Sequence, residues 1–373
     1  MSPANAARPE EHRVGEVLTG TRILLVGPSL EIMGGQAVQL DLLLRNLREE
    51  GVAVDFLPIN PVPWGPLKFL TRIKYLRTLV VSIFYICSLL WRVRKYDLIH
   101  IFSASYFSFI IAPTPALLVA GLYGKKTILN YRSGEAEDHL QRAGKFVHRM
   151  LRKADRIVVP SAFLVQVFAK FGYKAQAVYN ISDPEQFSFR ERKPLQPQLI
   201  VARNLEPLYD VATAIRAFAE IQREYPEAIV TIVGEGSESK KLRELVAELQ
   251  LEGVTFTGRV EREQMPALYD QADIFLNSSV IDNMPVAIVE AFYAGLPVVT
   301  TNAGGIPFIV KNEENGLLVE MGDYRALAAA VVRLLREPEL VDKLVAGGRT
   351  WAQQCSWPQV RQRWAEIYRG VVA

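Results

Sequence analysis

Short apolar runs alternate along this chain with segments in which apolar residues recur at helical spacing. In the first half, the segment Gln36–Glu50 predicts a helix, because Leu40, Leu43, Leu44 and Leu47 fall on one face. Short apolar runs bounded by turns predict buried strands, and here they read RILLVG (22–27), VAVDFL, DLIHIFS, TILNY and RIVVPS. Buried strands alternating with helices predict an α/β fold with parallel sheets covered by helices.

The same alternation restarts in the second half. The predicted strands are LIVAR (199–203), AIVTIVG, VTFTG, DIFLN, PVVTT and GLLVE, and the helices include 211–225 and 237–250. Between the halves, ERKPLQPQ (191–198) is charged and contains two prolines, which predicts an interdomain linker. A chain of 373 residues is long enough for two α/β domains. We therefore expect a flexible tail (1–20), a first domain (21–193), a second domain (194–355) and a C-terminal helix (356–373).

Composition narrows the class of protein. Half of the chain is apolar and 22% is charged, which is typical of globular proteins. Cys87 and Cys355 have neither a C-x-x-C partner nor a nearby histidine, so we predict neither a disulfide framework nor a zinc site. The first 20 residues contain no apolar run of the kind found in signal peptides. These features predict a protein of the reducing cytoplasm.

The charge is distributed unevenly although the net charge is only +3. Seven basic residues and no acid lie between Lys68 and Lys95, around the apolar run TLVVSIFYICSLLW (78–91). That run is shorter than the roughly 20 apolar residues of an ordinary membrane span. It predicts either a helix that lies on an anionic membrane surface or a core helix with solvated ends. A second basic stretch, 142–174, favours membrane contact, and no nucleic-acid motif is recognisable.

Residues 277–305, NSSVIDNMPVAIVEAFYAGLPVVTTNAGG, carry the most specific pattern. Asp282 and Asn283 are favourable N-cap residues, and Pro285 suits a first helical turn. A helix is therefore predicted from near Met284 to Gly295, which is a natural stop because glycine tolerates the left-handed conformation.

This predicted helix start suits a phosphorylated sugar. The free N–H groups of Met284, Val286 and Ala287 and the helix dipole favour a diphosphate. Asp282 in the loop and Glu290 within the helix supply carboxylates, which accept hydrogen bonds from sugar hydroxyls. The alternative is an ordinary helix, turn and strand of a doubly wound sheet.

The window resembles the E-x7-E region of the retaining GT-B glycosyltransferases of family four, with Asp282 in place of the first glutamate. The resemblance implies that Glu290 holds the donor ribose and that Asp282 holds a hydroxyl of the transferred sugar. It also implies that the backbone at 284–287 binds the phosphates. Pro285 lies within this stretch, and the neighbouring Asn283 also belongs to the implied donor site.

Other segments are similar to the same family, and two of them depart from its pattern. Gly34 and Gly35 precede the first helix, where the family faces the donor phosphates. Arg203, in VARNLEP, lies where the family binds the pyrophosphate, but Tyr209 replaces the expected lysine six residues later. Arg132 occupies the place of a common histidine; it could neutralise the phosphate or hold an acidic acceptor, but it is not a general base.

The resemblance extends over residues 22–370. TIVGEGSESKKL, with Gly234 and Gly236, is similar to the glycine turn of the family, and the segment around Arg259 and Val260 to its base-binding region. VYNISDPEQF retains the family pattern at Asn180, Asp183 and Phe187.

One acidic cluster offers an alternative chemistry. Glu135, Glu137, Asp138 and His139 are residue types that ligate metals, but a loop of solvated acids is the commoner arrangement. The sequence contains no D-x-D motif. We therefore predict no metal and no cofactor.

The resemblance implies a GT-B fold, with two Rossmann-like domains facing across a cleft and a C-terminal helix that crosses back to the first domain. The implied activity is transfer of a sugar from a nucleoside diphosphate sugar to a hydroxyl acceptor, with retention and without metal. We expect a lipid-linked or saccharide acceptor in envelope or exopolysaccharide synthesis, and a peripheral location on the inner face of the cell membrane. The alternatives are a sugar-nucleotide epimerase, a phosphorylase, or a degenerate non-catalytic binding protein at the membrane.

Overall fold

A computed structural model describes residues 14–30, 34–61 and 74–372. In these residues the first domain contains a parallel sheet of six strands in the order β2-β1-β3-β4-β5-β6. The strands β1 to β6 are Arg22–Gly27, Ala53–Pro58, Leu98–Ser103, Lys126–Tyr131, Arg156–Val159 and Ala175–Ala177. The helices α1 to α8 are Val14–Val17, Gly35–Glu49, Lys74–Arg92, Tyr106–Ile111, Pro113–Leu122, Ala136–Arg142, Lys145–Leu151 and Ala162–Lys170.

The second domain repeats this architecture. Its described strands also form a parallel six-stranded sheet, in the order β12-β11-β10-β7-β8-β9. The strands β7 to β12 are Gln198–Ala202, Ile229–Val233, Val254–Gly258, Ile274–Asn277, Val298–Thr301 and Leu317–Val319. The helices α9 to α15 are Val211–Glu224, Ser239–Glu248, Met265–Gln271, Val286–Ala294, Tyr324–Arg336, Pro338–Ala352 and Trp357–Val372. The predicted α/β class with two parallel sheets is confirmed.

Alternate side chains of the first sheet point to opposite faces, as the two-residue period of a strand requires. Leu24 and Ile99 pack on the side covered by α3 to α8, whereas Ile23 and Leu98 pack on the side covered by α1 and α2. Both faces are buried, which explains why these strands read as continuous apolar runs.

The C-terminal helix α15 crosses back from the second domain to the first, as predicted. Val360, Trp364 and Tyr368 are buried in the same core as Ile23 and Leu25 of β1. This helix therefore supplies part of the core of the first domain.

The segment predicted as an interdomain linker, 191–198, follows β6 of the first domain and leads into β7 of the second, and it is anchored to the second domain. Arg192 is only 5% exposed, and its guanidinium donates hydrogen bonds to the carbonyl oxygens of Tyr269, Ala272 and Ala294. Charge and proline content did not reveal this anchoring, because the carbonyl partners come from distant elements. The short strand β6 was missed because Ala-Gln-Ala has no apolar signature.

Helix α3 has one apolar side in the core and another exposed to solvent. Tyr85 and Leu89 are buried in the core, whereas Leu79 and Ile83 are more than half exposed. The stretch Leu76–Lys95 has the length and composition of a membrane-crossing helix and is 17% buried. The apolar run of 14 residues, 78–91, is shorter than the helix, because α3 extends beyond the run at both ends, from Lys74 to Arg92. Lys68 and Arg72 lie outside the described residues.

Candidate functional site

A cleft of about 730 Å³ lies between the two domains, at the carboxyl ends of the central strands. Open α/β sheets bind their ligands at this edge. The cleft brings together most of the residues that the sequence singled out: Gly34, Gly35, Arg132, Arg203, Tyr209, Gly234, Arg259, Val260, Asp282, Asn283, Met284, Pro285, Val286, Ala287 and Glu290. Gly236 is not in the lining, because it packs against the carbonyl group of Leu205.

Arg203, immediately after β7, has partners on three sides. Its Nε donates to Oδ1 of Asn277 at 3.0 Å, and its terminal nitrogen forms a buried ion pair with Asp282. Its guanidinium carbon lies 4.9 Å from the ring centroid of Tyr209, which is a cation–π contact. Burial raises the pKa of Asp282, and Arg203 opposes that shift. Two groups predicted to bind the donor therefore neutralise each other.

Helix α12 begins two residues later than predicted. Pro285 occupies the N-cap position and Val286 is the first helical residue. Asp282 and Asn283 do not cap the helix, because Asp282 pairs with Arg203 and Asn283 accepts a hydrogen bond from the Ser161 hydroxyl across the cleft. The predicted stop at Gly295 is confirmed, with φ of 75°. The helix start still faces the cleft, so its first amides remain available to an anion.

Glu290 lies on the cleft side of α12 beside a residue that the sequence analysis missed. The Tyr269 hydroxyl donates a hydrogen bond of 2.9 Å to the Glu290 carboxylate. Burial raises the pKa of Glu290, and this hydrogen bond and the nearby charge of Arg262 oppose the shift. Tyr269 and Arg262 follow Arg259 and Val260 in the segment that resembles the base-binding region of the family, but only the fold shows that α11 packs beside α12.

Arg132 enters the cleft from the first domain. Its guanidinium donates to Oδ1 of Asn130 at 3.3 Å and to Oδ1 of Asn180. The Asn180 amide in turn donates to the carbonyl oxygen of Met284 at 2.9 Å. Burial lowers the pKa of Arg132 to about 9, so it remains a cation at neutral pH. The first domain thus places Arg132 on one wall of the cleft, and the second domain places Arg203, Arg259 and Arg262 on the other.

A buried hydrogen-bond relay runs from Arg132 to the crossing helix. Because Oδ1 of Asn130 accepts from Arg132, the Asn130 amide donates to Nε2 of His100 at 3.2 Å. The proton of the imidazole is then on Nδ1, which donates to the Tyr368 hydroxyl at 2.9 Å. Burial and the charge of Arg132 lower the pKa of His100 to about 3.

Two glycines behind the site hold its acidic loop in place. A side chain at Gly304 would collide with the carbonyl oxygen of Asp282, and one at Gly305 with that of Asn283. The Gly305 amide also donates to the Asp282 carbonyl at 2.9 Å. The two consecutive glycines of Asn-Ala-Gly-Gly (302–305) could have predicted this close approach, because glycine has no Cβ to collide with neighbouring backbone.

A second cavity of about 510 Å³ adjoins the cleft and shares Glu135 and Asp282 with it. Tyr106, Phe163 and Ile281 give it an apolar wall. Its other acids are paired: Glu137 with Lys170 and Asp138 with Arg142, each at 2.7 Å. The described residues hold no cluster of three or more His, Cys, Asp or Glu side chains placed to bind a metal.

Comparison with known proteins agrees with this architecture. The Glycosyltransferase Family 4 profile matches residues 33–186, and the Glycosyl transferases group 1 profile matches residues 183–351. Over 190 residues the chain is 30% identical to a GDP-mannose-dependent alpha-(1-6)-phosphatidylinositol monomannoside mannosyltransferase of Mycobacterium tuberculosis; the match covers 48% of this chain and 49% of that protein. It is 28% identical over 240 residues to the amylovoran biosynthesis glycosyltransferase AmsK of Erwinia amylovora; this match covers 60% of this chain and 59% of that protein. The chain thus spans about half the length of the curated relatives it matches.

Solved structures share the fold at low identity. Anabaena Alr3699/HepE in complex with UDP and glucose superposes with a TM-score of 0.71 at 18% identity, over 93% of this chain and 99% of the other. Sucrose-phosphate synthase from Thermosynechococcus elongatus superposes with a TM-score of 0.70 at 20% identity, over 94% of this chain and 98% of the other. The two profiles together extend from residue 33 to residue 351, and both domains have the expected fold. The chain belongs to the glycosyl transferases group 1 and has the GT-B fold.

Proposed function

We propose that this glycosyltransferase moves a sugar from a nucleoside diphosphate sugar to a hydroxyl of a saccharide or lipid-linked acceptor, in the synthesis of an envelope or extracellular glycan. The observation that carries the proposal is the convergence of Arg132, Arg203, Glu290 and the start of α12 on one cleft. UDP and UDP-glucose in the Anabaena structures, and GDP-mannose dependence in the mycobacterial relative, support a donor of this class.

The donor would lie across the cleft. Arg132, Arg203 and the first amides of α12 would neutralise the diphosphate, while Glu290 would accept hydrogen bonds from the ribose. Asp282, released from Arg203, would hold a hydroxyl of the transferred sugar.

We propose retention of configuration by front-face attack, in which the leaving phosphate takes the proton of the acceptor hydroxyl. The cleft contributes position and charge stabilisation at the bond that breaks between the anomeric carbon and the phosphate oxygen. Arg132 is unsuited to act as a base because it is protonated at neutral pH. The second cavity, which meets the cleft at Asp282, is suited to the acceptor.

A panel of uridine, guanosine, adenosine and thymidine diphosphate sugars tests the donor class. We expect the compounds that carry one of the four nucleobases to raise the melting temperature of the protein. One of these sugar nucleotides should also support transfer. No stabilisation by any member of the panel would contradict a nucleotide-sugar donor. Isomerisation of the donor sugar in an assay without acceptor would identify an epimerase instead. NMR of the anomeric carbon of the product tests retention.

A further inference from the structure

The first domain carries most of the large hydrophobic side chains that are exposed in the described residues, and most of these lie on helices covering one side of its sheet. On α3, Leu79, Ile83, Ile86 and Leu90 follow one another at intervals of three and four residues, so they form a single stripe. Isolated exposed apolar residues are ordinary, but a contiguous group of them indicates an interaction surface.

Helices α4 and α5 adjoin α3. The Tyr85 hydroxyl of α3 donates to the carbonyl oxygen of Ala112, between α4 and α5, at 2.8 Å. The Tyr123 hydroxyl, just after α5, donates to the carbonyl oxygen of Leu90 at 3.0 Å. These contacts fix the three helices side by side.

Both neighbouring helices continue the apolar surface. Phe107 and Ile110 of α4 are 64% and 44% exposed, and Leu118 and Leu122 of α5 are 44% and 70% exposed. We call the exposed apolar residues of these three helices the α3–α5 face.

The charges around the α3–α5 face favour an anionic partner. Arg77, Arg94 and Lys95 are exposed near the two ends of α3, whose sequence contains no acid. The Lys95 ammonium lies 4.0 Å from the ring centroid of the exposed Trp91. A second copy of this face would bring like charges together, whereas a bilayer with anionic headgroups accepts both the apolar stripe and its basic border.

Helix α4 connects this face to the second cavity. Its first residue, Tyr106, lines the cavity and donates a hydrogen bond to Asp138, whereas the next residue, Phe107, is exposed. A molecule anchored beside α4 therefore has a short path to the cavity and to Asp282.

We propose that the α3–α5 face seats the protein on an anionic bilayer and turns the second cavity toward the headgroups, where a saccharide on a lipid anchor enters it. Docking follows from the α3–α5 face alone. The identity of the acceptor rests on the proposed function.

Flotation with vesicles of phosphatidylcholine, with and without phosphatidylglycerol, tests the docking. We expect the protein to float with the anionic vesicles and Leu79→Gln/Ile83→Gln to weaken binding by about tenfold or more, because two apolar side chains no longer insert. Both side chains are more than half exposed, so the fold should tolerate the change. The matched control is Leu249→Gln/Met321→Gln, two exposed positions of the second domain, which should float like the wild type.

A second variant tests the electrostatic contribution to membrane binding. Arg94→Gln/Lys95→Gln should reduce binding to anionic vesicles and make it less sensitive to salt, without affecting the weaker binding to neutral vesicles. Arg92 is unsuitable for this test because it donates to the carbonyl oxygen of Phe56 at 2.9 Å and so supports the fold.

The chain contains a convenient native probe on α3. Cys87 is exposed and Cys355 is buried, so a thiol-reactive, environment-sensitive dye should label Cys87 selectively. Cys87 lies four residues after Ile83 and three before Leu90, and the dye emission should shift to the blue with anionic vesicles. Cys87→Ser should abolish the signal.

Unchanged flotation of Leu79→Gln/Ile83→Gln, or no binding by the wild type, would overturn the proposal. A dimer in light scattering that this variant converts to a monomer would identify the face as a contact between copies instead. Nucleotide-induced stabilisation, measured without vesicles in every variant, separates these failures from a failure of the proposed function.

Discussion

Among single residues, Arg203 and Asp282 form the central ion pair of the cleft. They are bound to each other, and each is also predicted to bind part of the donor. A ligand that separates them must replace both halves of a buried ion pair, which is costly unless its phosphate and its sugar hydroxyl arrive together. If the donor is a sugar nucleotide, as proposed, we therefore expect the pair to favour the complete molecule over the free nucleotide.

Asp282→Asn tests this competition. We expect the free nucleoside diphosphate to bind at least as tightly as to the wild type, because Arg203 is no longer neutralised. Turnover should fall by about 10²-fold or more, since a charged contact to the transferred sugar is lost. Isothermal titration with nucleotide, and initial rates of transfer, measure the two effects. Weaker nucleotide binding would show that the pair does not compete with the phosphate.

Glu290 is predicted to bind the donor ribose, and its burial as a charged group costs stability. Burial raises its pKa, so the folded protein binds a proton more readily than the unfolded chain. Its contribution to stability is therefore fully present below its ordinary pKa of 4.5 and is lost as the pH rises from there through the raised value.

Glu290→Gln should accordingly raise the melting temperature of the empty protein at neutral pH, by about 2–4 °C for each kcal/mol gained. Donor binding should be lost, because the amide is a weaker acceptor for the ribose hydroxyls. Thermal unfolding across pH, with and without the donor, checks both statements. A variant that is less stable yet binds the donor normally would remove Glu290 from the ribose site.

Tyr209 supports Arg203 through its ring, whereas a hydrogen bond from its hydroxyl to the diphosphate remains a prediction. If Tyr209 acts only through the contact of its ring with Arg203, Tyr209→Phe should match the wild type in donor affinity. Tyr209→Ala should weaken donor binding about two- to tenfold, the range expected for a cation–π contact of modest strength. A marked loss in Tyr209→Phe would instead assign the hydroxyl to the diphosphate. Tyr209→Lys tests whether the charge expected from the family can be restored.

At the scale of elements, the crossing helix α15 is connected by hydrogen bonds to the wall of the cleft that carries Arg132. Tyr368, His100 and Asn130 form the relay behind Arg132. The low pKa of His100, about 3, lies below its ordinary value of 6.5. Between these values the unfolded chain binds a proton that the folded protein does not, so stability present above pH 6.5 is lost as the pH falls toward 3.

His100→Gln should therefore reduce the loss of stability on acidification, without removing it, because burial also lowers the pKa of His139. Tyr368→Phe should cost about 1–3 kcal/mol of unfolding free energy, since the imidazole N–H is left without its acceptor. Urea unfolding at several pH values measures both changes. An unchanged pH dependence in His100→Gln would show that the neutral imidazole does not govern this region.

For the whole molecule, the positive charge of the donor site is divided between the domains. Arg132 comes from the first domain and Arg203 from the second, and the contacts of Asn180 with Met284 and of Ser161 with Asn283 keep the two walls together. In the proposed mechanism two cations and a helix start would neutralise one diphosphate, as a divalent ion does in other transferases.

Transfer should consequently proceed in EDTA at a rate within about twofold of the untreated protein, because no step of the proposed mechanism uses a metal. The measurement is product formation after dialysis against the chelator. Loss of activity that manganese or magnesium restores would assign a metal to the acids at Glu135 and Asp138.

The sequence alone determined the two parallel sheets, the position of nearly every strand, the stop of α12 at Gly295 and the resemblance to the GT-B family. These features depend on local periodicity and on residues close together in the chain, so they can be read without knowledge of the fold. The N-cap roles of Asp282 and Asn283 failed for the opposite reason: partners from distant elements, Arg203 and Ser161, bind those side chains.

Only the tertiary structure decided which groups meet. Tyr269 beside Glu290, the relay from Arg132 to Tyr368 and the burial of Arg192 all join residues far apart in sequence. The same holds for the α3–α5 face, because apolar composition does not distinguish a buried stripe from an exposed one. Which side of α3 faces solvent depends on the helices that pack against it, and that is settled by the fold rather than by any local pattern.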